Sequence, residues 1–178
     1  MPGIDHSRAF MPLNIAILTV SDTRTSEDDK SGDTLKQRAE TAGHRVIRRE
    51  IVPDDLERLQ DTLNAWIDAA DIDVILTTGG TGVTGRDITP EAVESVGDKH
   101  IPGFGELFRW LSYKLISTST IQSRATAVVA RGTYIFALPG SPGACRDAWD
   151  GILADQLDIR HRPCNFAELI PRLEEHRR

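Results

Sequence analysis

The chain has 178 residues, of which 39% are hydrophobic and 27% are charged, and it carries a net charge of −6 at pH 7. These values are typical of one globular domain, and the acidic balance argues against a non-specific nucleic-acid binder. No apolar run could span a bilayer and residues 1–11 lack the apolar core of a secretory signal, so we expect a cytoplasmic protein without membrane or nucleic-acid partners. Cys145 and Cys164 lack metal-ligand spacing, which predicts reduced thiols.

Short apolar runs alternate with segments of helical periodicity along the chain. The runs predict strands at residues 14–20, 44–52, 73–78 and 133–138. The periodic segments predict helices at residues 32–42, 56–70, 89 onward, 104–115 and 144–159, with Gly43 closing the first of them. Pro102 and Gly103 are expected to break the chain, and the polar segment 117–122 is ambiguous.

This order of elements predicts an α/β fold, a three-layer α/β/α sandwich with a mostly parallel sheet. Because no internal repeat or linker is found, residues 1–178 are expected to form a single domain with flexible termini at about 1–12 and 167–178. Ligands of such folds bind at the carboxyl ends of the strands. The loops 21–30, 53–55, 79–87 and 139–143 follow those ends, so we expect the site to lie among them.

The most informative segment, residues 77–91 (TTGGTGVTGRDITPE), joins a predicted strand to a predicted helix. Gly79, Gly80 and Gly82 let the backbone approach a ligand closely, and free N–H groups in such a loop bind anions. The spacing matches neither a P-loop nor a dinucleotide-binding motif, and a tight turn before a helix would use the same glycines. Arg86 and Asp87, side by side at the far end, suit a phosphate-bearing substrate together with a divalent cation.

Each candidate side chain in these loops has a structural alternative. Asp87 fits a Mg²⁺ ligand or a helix cap, and Arg86 fits a phosphate contact or a solvated surface residue. One of Asp54 and Asp55 is expected to cap the next helix, which leaves the other to face the site and share the metal. The direction of Ser123 and Arg124 stays open. A polar ligand or a plain turn would use the remaining candidates, which are Ser21, Asp22 and the turn Pro139-Gly140-Ser141-Pro142-Gly143.

An ordered set of motifs covers nearly the whole chain from residue 14 to about residue 157. They are residues 16–22 (AILTVSD), 29–32 (DKSG), 52–54 (VPD), 77–91, 102–106 (PGFGE), 123–125 (SRA) and 138–142 (LPGSP). In these motifs the chain strongly resembles the MoaB and MogA family of molybdenum cofactor biosynthesis proteins. Its segment 160–166 (RHRPCNF) resembles the MoaB branch in particular.

The resemblance implies an adenylyltransferase, in which the terminal phosphate of molybdopterin attacks the α-phosphate of ATP with the help of Mg²⁺. It assigns catalysis and metal binding to Asp54 and Asp87. Two alternatives stay open: a molybdopterin-binding or scaffold protein without catalysis, and another nucleotide-using enzyme on the same fold. The residues expected to bind substrate are Ser21, Asp22, Gly79, Gly80, Thr81, Gly82, Arg86, Ser123, Arg124, Pro139, Gly140 and Ser141.

The resemblance also implies a homo-oligomer, a trimer or a hexamer of two trimers, and leaves other enzymes of the pathway open as partners. Phe104, Phe108, Trp110, Leu111 and Tyr113 crowd one predicted helix and cannot all face one core. Trp110 or Tyr113 is then left for a second surface. That surface fits a subunit contact, or burial on two sides within one subunit.

Overall fold

The protein, described over residues 2–175 by a computed structural model, is built on a six-stranded sheet and a separate two-stranded pair. The strands are β1 (Gly3–Ile4), β2 (Asn14–Val20), β3 (Arg45–Val52), β4 (Val74–Thr78), β5 (Lys99–His100), β6 (Thr126–Ala130), β7 (Thr133–Leu138) and β8 (His161–Arg162). The sheet order is β3-β2-β4-β7-β6-β5, and β1 pairs with β8. Strands β3, β2, β4 and β7 run parallel, whereas β6 and β5 are antiparallel to their neighbours. The predicted mostly parallel sheet is confirmed.

Helices cover both faces of this sheet. They are α1 (Lys30–Thr41), α2 (Leu56–Asp68), α3 (Thr89–Val96), α4 (Pro102–Ile116), α5 (Pro142–Ala148), α6 (Ala154–Gln156) and α7 (Phe166–Leu169). Successive residues of β2 enter two different cores: Ile15 and Ile17 pack with α1, α4 and α5, whereas Ala16 and Leu18 pack with α2 and α3. The predicted three-layer sandwich is therefore confirmed. None of the helices in the described range combines the length and the hydropathy that crossing a bilayer requires.

Two helices begin earlier than the sequence predicts. Helix α1 begins at Lys30 because Asp29 caps it, its Oδ1 accepting the Gly32 N–H at 3.0 Å. Gly32 lies in the first turn of α1, where a Cβ would come within 2.1 Å of Asp29 Oδ2. Helix α4 begins with Pro102, which was expected to break the chain, because proline costs nothing in a first turn. The ambiguous segment Ser117–Gln122 is a 3-10 helix.

The last third of the chain also departs from prediction. The final long helix was expected over residues 144–159, but it begins at Pro142, with Ser141 as its cap, and ends at Gln156. A π-helical segment, Trp149–Leu153, joins α5 to α6. Strand β6 was not predicted: its five residues TAVVA are a short run of small side chains, although Arg131 and Gly132, both at positive φ, follow it directly in a two-residue turn to β7.

The structure anchors the described parts of both termini, where the sequence predicts flexible segments. Strand β1 pairs with β8, and Arg8 Nη1 donates to the Ile159 carbonyl at 2.7 Å. The Tyr134 hydroxyl donates to the Phe166 carbonyl at 3.2 Å, which fixes the start of α7. Elements of two to four residues show no periodicity, so the sequence gives no signal for them. Residues 1 and 176–178 of the predicted flexible termini lie outside the described residues.

The stability of the fold is expected to depend on pH through His44, which is only 5% exposed. Its Nδ1 accepts the Leu13 N–H at 3.1 Å, and burial lowers its pKa from 6.5 to about 4. The unfolded chain therefore takes up this proton at a higher pH than the folded chain does. The free energy of unfolding falls as the pH drops from about 6.5 towards 4, with a loss from His44 alone approaching about 3 kcal/mol.

Urea unfolding at several pH values between 7 and 4 measures this loss. The variant His44→Gln keeps a hydrogen-bond acceptor for Leu13 but does not titrate, so its stability is expected to fall less steeply over the same interval. If the free energy of unfolding falls equally steeply with pH in both proteins, groups other than His44 cause the pH dependence.

Candidate functional site

The carboxyl ends of four parallel strands form one edge of the sheet. The Ser21 N–H at the end of β2 donates to the Val52 carbonyl of β3 at 2.9 Å, and the Gly79 N–H after β4 donates to the Leu138 carbonyl of β7 at 3.0 Å. The four polar loops that follow these strands are thus neighbours, as the sequence predicts. The candidate site is the surface formed by these loops.

The path of the loop after β4 requires its first two glycines. Gly79 and Gly80 have φ values of 103° and 64°, a region that side chains disfavour. A Cβ on Gly79 would lie 2.3 Å from the Val20 carbonyl oxygen, and one on Gly80 would lie 2.4 Å from Thr89 Oγ1. The Thr89 hydroxyl in turn donates to the Gly79 carbonyl at 2.7 Å. The glycine loop therefore packs directly on β2 and on the start of α3.

Arg124 fastens the other half of the glycine loop. Its Nε donates to the Gly82 carbonyl at 2.7 Å and its Nη2 donates to the Asp87 carbonyl at 2.7 Å. Its Nη1 pairs with Glu91 on α3, and its own N–H donates to the Thr81 carbonyl at 2.9 Å. The direction of Arg124, open in the sequence, is thus towards the loop, which it holds in shape.

Asp87 closes a turn and does not cap the helix that follows. Its Oδ2 accepts the N–H and the hydroxyl of Thr84 at 2.8 and 2.7 Å, whereas the residue that precedes α3 is Ile88. A Cβ on Gly82 would come within 2.7 Å of Asp87 Oδ2, so the carboxylate lies against bare backbone. Burial works against ionisation of Asp87, but the hydrogen bonds from Thr84 and Gly82 outweigh it and hold its pKa below the ordinary value.

Asp54 faces the glycine loop, while Asp55 caps α2. Asp55 Oδ1 accepts the Arg58 N–H at 2.9 Å, which settles the alternative between these two residues. Asp54 and Asp22 exchange hydrogen bonds: the Asp22 N–H donates to Asp54 Oδ2 at 3.2 Å, and the Asp54 N–H donates to Asp22 Oδ1 at 3.0 Å. Asp54 Oδ1 would lie 3.1 Å from a Cβ on Gly80.

The neighbouring carboxylates Asp22 and Asp54 have pKa values that are shifted in opposite directions. Arg86 donates to Asp22, and this hydrogen bond lowers the pKa of Asp22. Burial raises the pKa of Asp54, and the negative charges of Asp22 and Asp87 raise it further. Asp54 is therefore a carboxylate that a nearby cation would stabilise.

A cavity of about 630 Å³ lies at this edge and is called the main cavity below. It lies between the glycine loop, the turn after β7 and a wall formed by α4 and the 3-10 helix. Ser141 lines it and also caps α5, its Oγ accepting the Ala144 N–H at 3.1 Å. The predicted site residues that line the main cavity are Gly80, Thr81, Gly82, Asp87, Ser123, Pro139, Gly140 and Ser141.

Arg24 also lines the main cavity and was not among the residues predicted from the sequence. Its Nη2 donates to the Gly140 carbonyl at 2.6 Å and its Nη1 donates to the Ser31 hydroxyl. Asp29 lies behind it, with Oδ1 at 4.0 Å from Nη1. A guanidinium fixed at the wall of a cavity is suited to bind an anion. Arg24 lies in a polar loop whose sequence has no periodic pattern, so its role in the cavity wall can be recognised only from the tertiary structure.

A second cavity of about 420 Å³ lies on the other side of the glycine loop and is called the side cavity below. It shares Asp87 with the main cavity. Its lining residues are Val83, Thr84, Gly85, Asp87, Ile88, Glu91 and Arg124. Asp87 thus borders two spaces that could each hold a ligand.

Ser21 serves the turn after β2 and does not line either cavity. Its Oγ accepts the N–H groups of Thr23 and Arg24 at 3.3 and 3.2 Å. These contacts match the plain-turn alternative and position Arg24 at the wall of the main cavity. Asp22 and Arg86 pair with each other beside Asp54, and all three residues lie outside the lining of both cavities.

The donor set at this edge fits Mg²⁺ bound together with a phosphate. Among residues 2–175, no group of three or more His, Cys, Asp or Glu side chains is arranged to hold a metal ion. Asp54 and Asp87 supply two carboxylates close enough for one to raise the pKa of the other. Mg²⁺ prefers one or two carboxylates completed by water and substrate phosphate.

Known proteins share this fold, and a family match covers the candidate site. Residues 16–159 match the family model of a probable molybdopterin binding domain. Molybdenum cofactor biosynthesis protein B of Escherichia coli (strain K12) is 52% identical over 160 residues, which cover 90% of this chain and 94% of that protein. A crystal structure of Molybdenum cofactor biosynthesis protein B has a TM-score of 0.85 at 41% identity, covering 96% of this chain and 100% of that chain.

A further solved structure is that of the tungsten cofactor synthesizing protein MoaB from Pyrococcus furiosus. It has a TM-score of 0.72 at 35% identity, covering 81% of this chain and 92% of that chain. The family match spans most of the sequence, and its residues 16–159 include all four loops that form the candidate site. The chain belongs to the molybdopterin binding domain family that includes the MoaB proteins.

Proposed function

We propose that this protein acts in molybdenum cofactor biosynthesis by adenylylating molybdopterin. A terminal phosphate oxygen of molybdopterin attacks the α-phosphorus of ATP. The bond from that phosphorus to the bridging oxygen breaks, and pyrophosphate leaves with the electron pair. The observation that carries the proposal is the position of Asp87, which borders both the main cavity and the side cavity. Two substrates bound in these cavities would bring their phosphates together beside one carboxylate.

The side chains at the site agree with this chemistry. The attacking phosphate is already anionic at neutral pH, so the reaction needs no strong general base, and neither cavity has a His among its lining residues. Positioning and charge neutralisation supply most of the catalysis in phosphoryl transfer. Arg24 would bind a phosphate in the main cavity, and the backbone of the glycine loop would enclose it.

Asp54 and Asp87 would hold Mg²⁺, which neutralises charge on the reacting phosphates when it is bound. Asp22 would keep Asp54 in place through their reciprocal hydrogen bonds, and Arg86 balances the charge of Asp22. Arg124 would keep the loop between the two cavities in shape. Asp22, Arg86 and Arg124 would therefore act indirectly, by holding in place the groups that bind Mg²⁺ and substrate.

Pyrophosphate release tests the proposal. The protein is incubated with ATP, Mg²⁺ and molybdopterin, and each component is left out in turn. We expect pyrophosphate only in the complete mixture. Binding of molybdopterin without pyrophosphate release would instead identify a binding or scaffold protein.

Ser141→Asp is expected to weaken binding of a phosphate-bearing substrate in the main cavity. Ser141 lines the cavity, and Asp is as good a helix cap as Ser, so the fold should be kept. A new negative charge near a bound phosphate should lower affinity by on the order of tenfold or more. Isothermal titration with molybdopterin and with ATP measures the effect. Ser141→Asn, which caps without charge, is the matched control; equal affinities for the two variants would contradict a phosphate at this turn.

We also propose that the protein forms an oligomer in multiples of three, with Trp110 at or near a subunit contact. Trp110 and Tyr113 on α4 are 58% and 57% exposed in the single chain. The neighbouring residues Leu115, Ile116 and Ile121 are also exposed, so much of the patch is apolar, and Lys114 Nζ lies 3.4 Å from the centre of the Trp110 ring. Trp110→Glu is expected to lower the mass measured by light scattering coupled to size exclusion.

The matched control for the oligomer is Leu56→Glu, at the start of α2 and on the opposite face of the sheet, where the oligomer should persist. A mass near 19.7 kDa for the unaltered protein at micromolar concentration would contradict the oligomer. An unchanged mass for Trp110→Glu would remove Trp110 from the contact.

A further inference from the structure

The main cavity contains a carboxylate that the proposed chemistry does not use. Asp147 lies on α5 and lines the cavity, where it is half-buried. Within residues 2–175 its carboxylate has neither a hydrogen-bond donor nor an ion-pair partner. The other carboxylates of this edge differ in this respect, because Asp29, Asp54 and Asp87 each accept hydrogen bonds from the protein. Asp147 is thus a carboxylate in this cavity whose oxygens are available to a ligand.

The wall around the cavity suits a flat heterocycle. Phe108, Ile116 and Ala144 offer apolar surface, while Ser112, Ser119 and Thr120 offer hydroxyl groups. A planar ring can pack on the apolar side chains and present its polar edge to hydroxyl and carboxylate groups. With Arg24 in the same cavity, one ligand could carry both a ring and a phosphate.

The Asp147 carboxylate only accepts hydrogen bonds, so it favours rings that present donors at their edge. An aminopyrimidinone edge, the 2-amino-4-oxo edge of a pterin, presents two adjacent donors, N3–H and the 2-amino group. The two oxygens of one carboxylate can accept both, and such charge-assisted pairs are the strong ones. Adenine presents one donor beside the acceptor N1, so a carboxylate there would gain one hydrogen bond and repel a lone pair. The main cavity therefore favours the pterin substrate, which leaves the side cavity for ATP.

We propose that Asp147 is a specificity-determining residue that binds the aminopyrimidinone edge of the pterin ring in the main cavity. This inference rests on the proposed function, since it assigns one of the two substrates to one of the two cavities. Asp147 takes no part in the bond-making step. Its role is to orient the ring, so that the phosphate carried by the same ligand reaches Asp87 and Arg24.

Binding of two small probes tests the assignment. The probes are pterin and lumazine, the analogue with an oxygen in place of the 2-amino group, titrated by their fluorescence into the unaltered protein and into Asp147→Asn. We expect the unaltered protein to bind pterin at least tenfold more tightly than lumazine. Asp147→Asn should lose about 10- to 100-fold in pterin affinity and little in lumazine affinity, the range for hydrogen bonds to a charged group.

Asp150→Asn is the matched control, because Asp150 lies three residues further along the same helical run and pairs with Arg38 away from the cavity. It should bind both probes as the unaltered protein does. Equal affinity for pterin and lumazine, no detectable pterin binding, or pterin binding that Asp147→Asn leaves unchanged would each overturn the proposal. GTP carries the same edge, and tighter Asp147-dependent binding of GTP than of pterin would overturn it as well.

The outcomes separate this inference from the proposed function. If pterin discrimination depends on Asp147 but no pyrophosphate is released, the ring assignment holds and adenylyl transfer fails. If pyrophosphate is released at the same rate with Asp147→Asn under limiting molybdopterin, adenylyl transfer holds and the ring assignment fails.

Discussion

Asp87→Asn is expected to lower the rate of adenylyl transfer by about 10²- to 10³-fold, which corresponds to roughly 3–4 kcal/mol of transition-state stabilisation. Asp87 borders both cavities, and its charge is held by the hydrogen bonds from Thr84. Asn keeps an oxygen that can accept the Thr84 N–H, so the turn should survive while the negative charge is lost. The defect should therefore appear in turnover and not in folding.

Pyrophosphate release under saturating substrates measures the effect of Asp87→Asn, and thermal unfolding shows whether the fold is intact. Asp61→Asn, an exposed carboxylate on α2, is the matched control for removing one negative charge. The control should turn over at the unaltered rate. If Asp87→Asn does so too, Asp87 is not part of the reacting centre.

Asp29→Ala should lower the free energy of unfolding by about 3–5 kcal/mol, the cost of breaking a buried ion pair from one side. The Asp29 side chain is fully buried and accepts hydrogen bonds from Thr19 at 2.8 Å, Gly32 at 3.0 Å and Arg49 at 2.8 Å. Burial works against its ionisation, but these bonds outweigh it and hold the pKa of Asp29 below its usual range. The substitution removes the cap of α1 and leaves part of Arg49 without its partner.

Urea unfolding at pH 7 measures this loss, with Asp150→Ala as the control. Asp150 also pairs with an arginine, Arg38, but it is exposed, so its removal should cost less than about 1 kcal/mol. A similar small cost for Asp29→Ala would show that the Asp29 network does not stabilise the fold. Because Asp29 also stands behind Arg24, its loss should weaken phosphate binding in addition.

The sequence predicts the strands and the site edge well, for a physical reason. Strands buried on both faces in a parallel sheet are almost wholly apolar, so β2, β4 and β7 stand out as short runs between polar loops. Parallel order then brings the following loops to one edge without any knowledge of contacts. The ordered set of motifs between residues 16 and 142 added the family, which the comparisons confirm.

What the sequence could not show depends on contacts between distant residues. Arg24 and Gly140 are 116 positions apart, and Arg124 and Gly82 are 42 positions apart, yet each pair is hydrogen-bonded. Asp147 carries no local signal, because an acidic residue on a helix is most often a solvated one. The choice between Asp54 and Asp55 as the cap of α2 likewise required backbone geometry. Local pattern thus predicts the elements, whereas the tertiary fold decides which side chains meet.

The fate of the α-phosphate of ATP tests adenylyl transfer most directly. The protein is incubated with molybdopterin, Mg²⁺ and ATP labelled with ³²P at either the α- or the γ-position, and the products are separated. We expect the α-label in a molybdopterin product and the γ-label in pyrophosphate. Label from the γ-position in the pterin product, or no transfer of label from the α-position, would contradict adenylyl transfer.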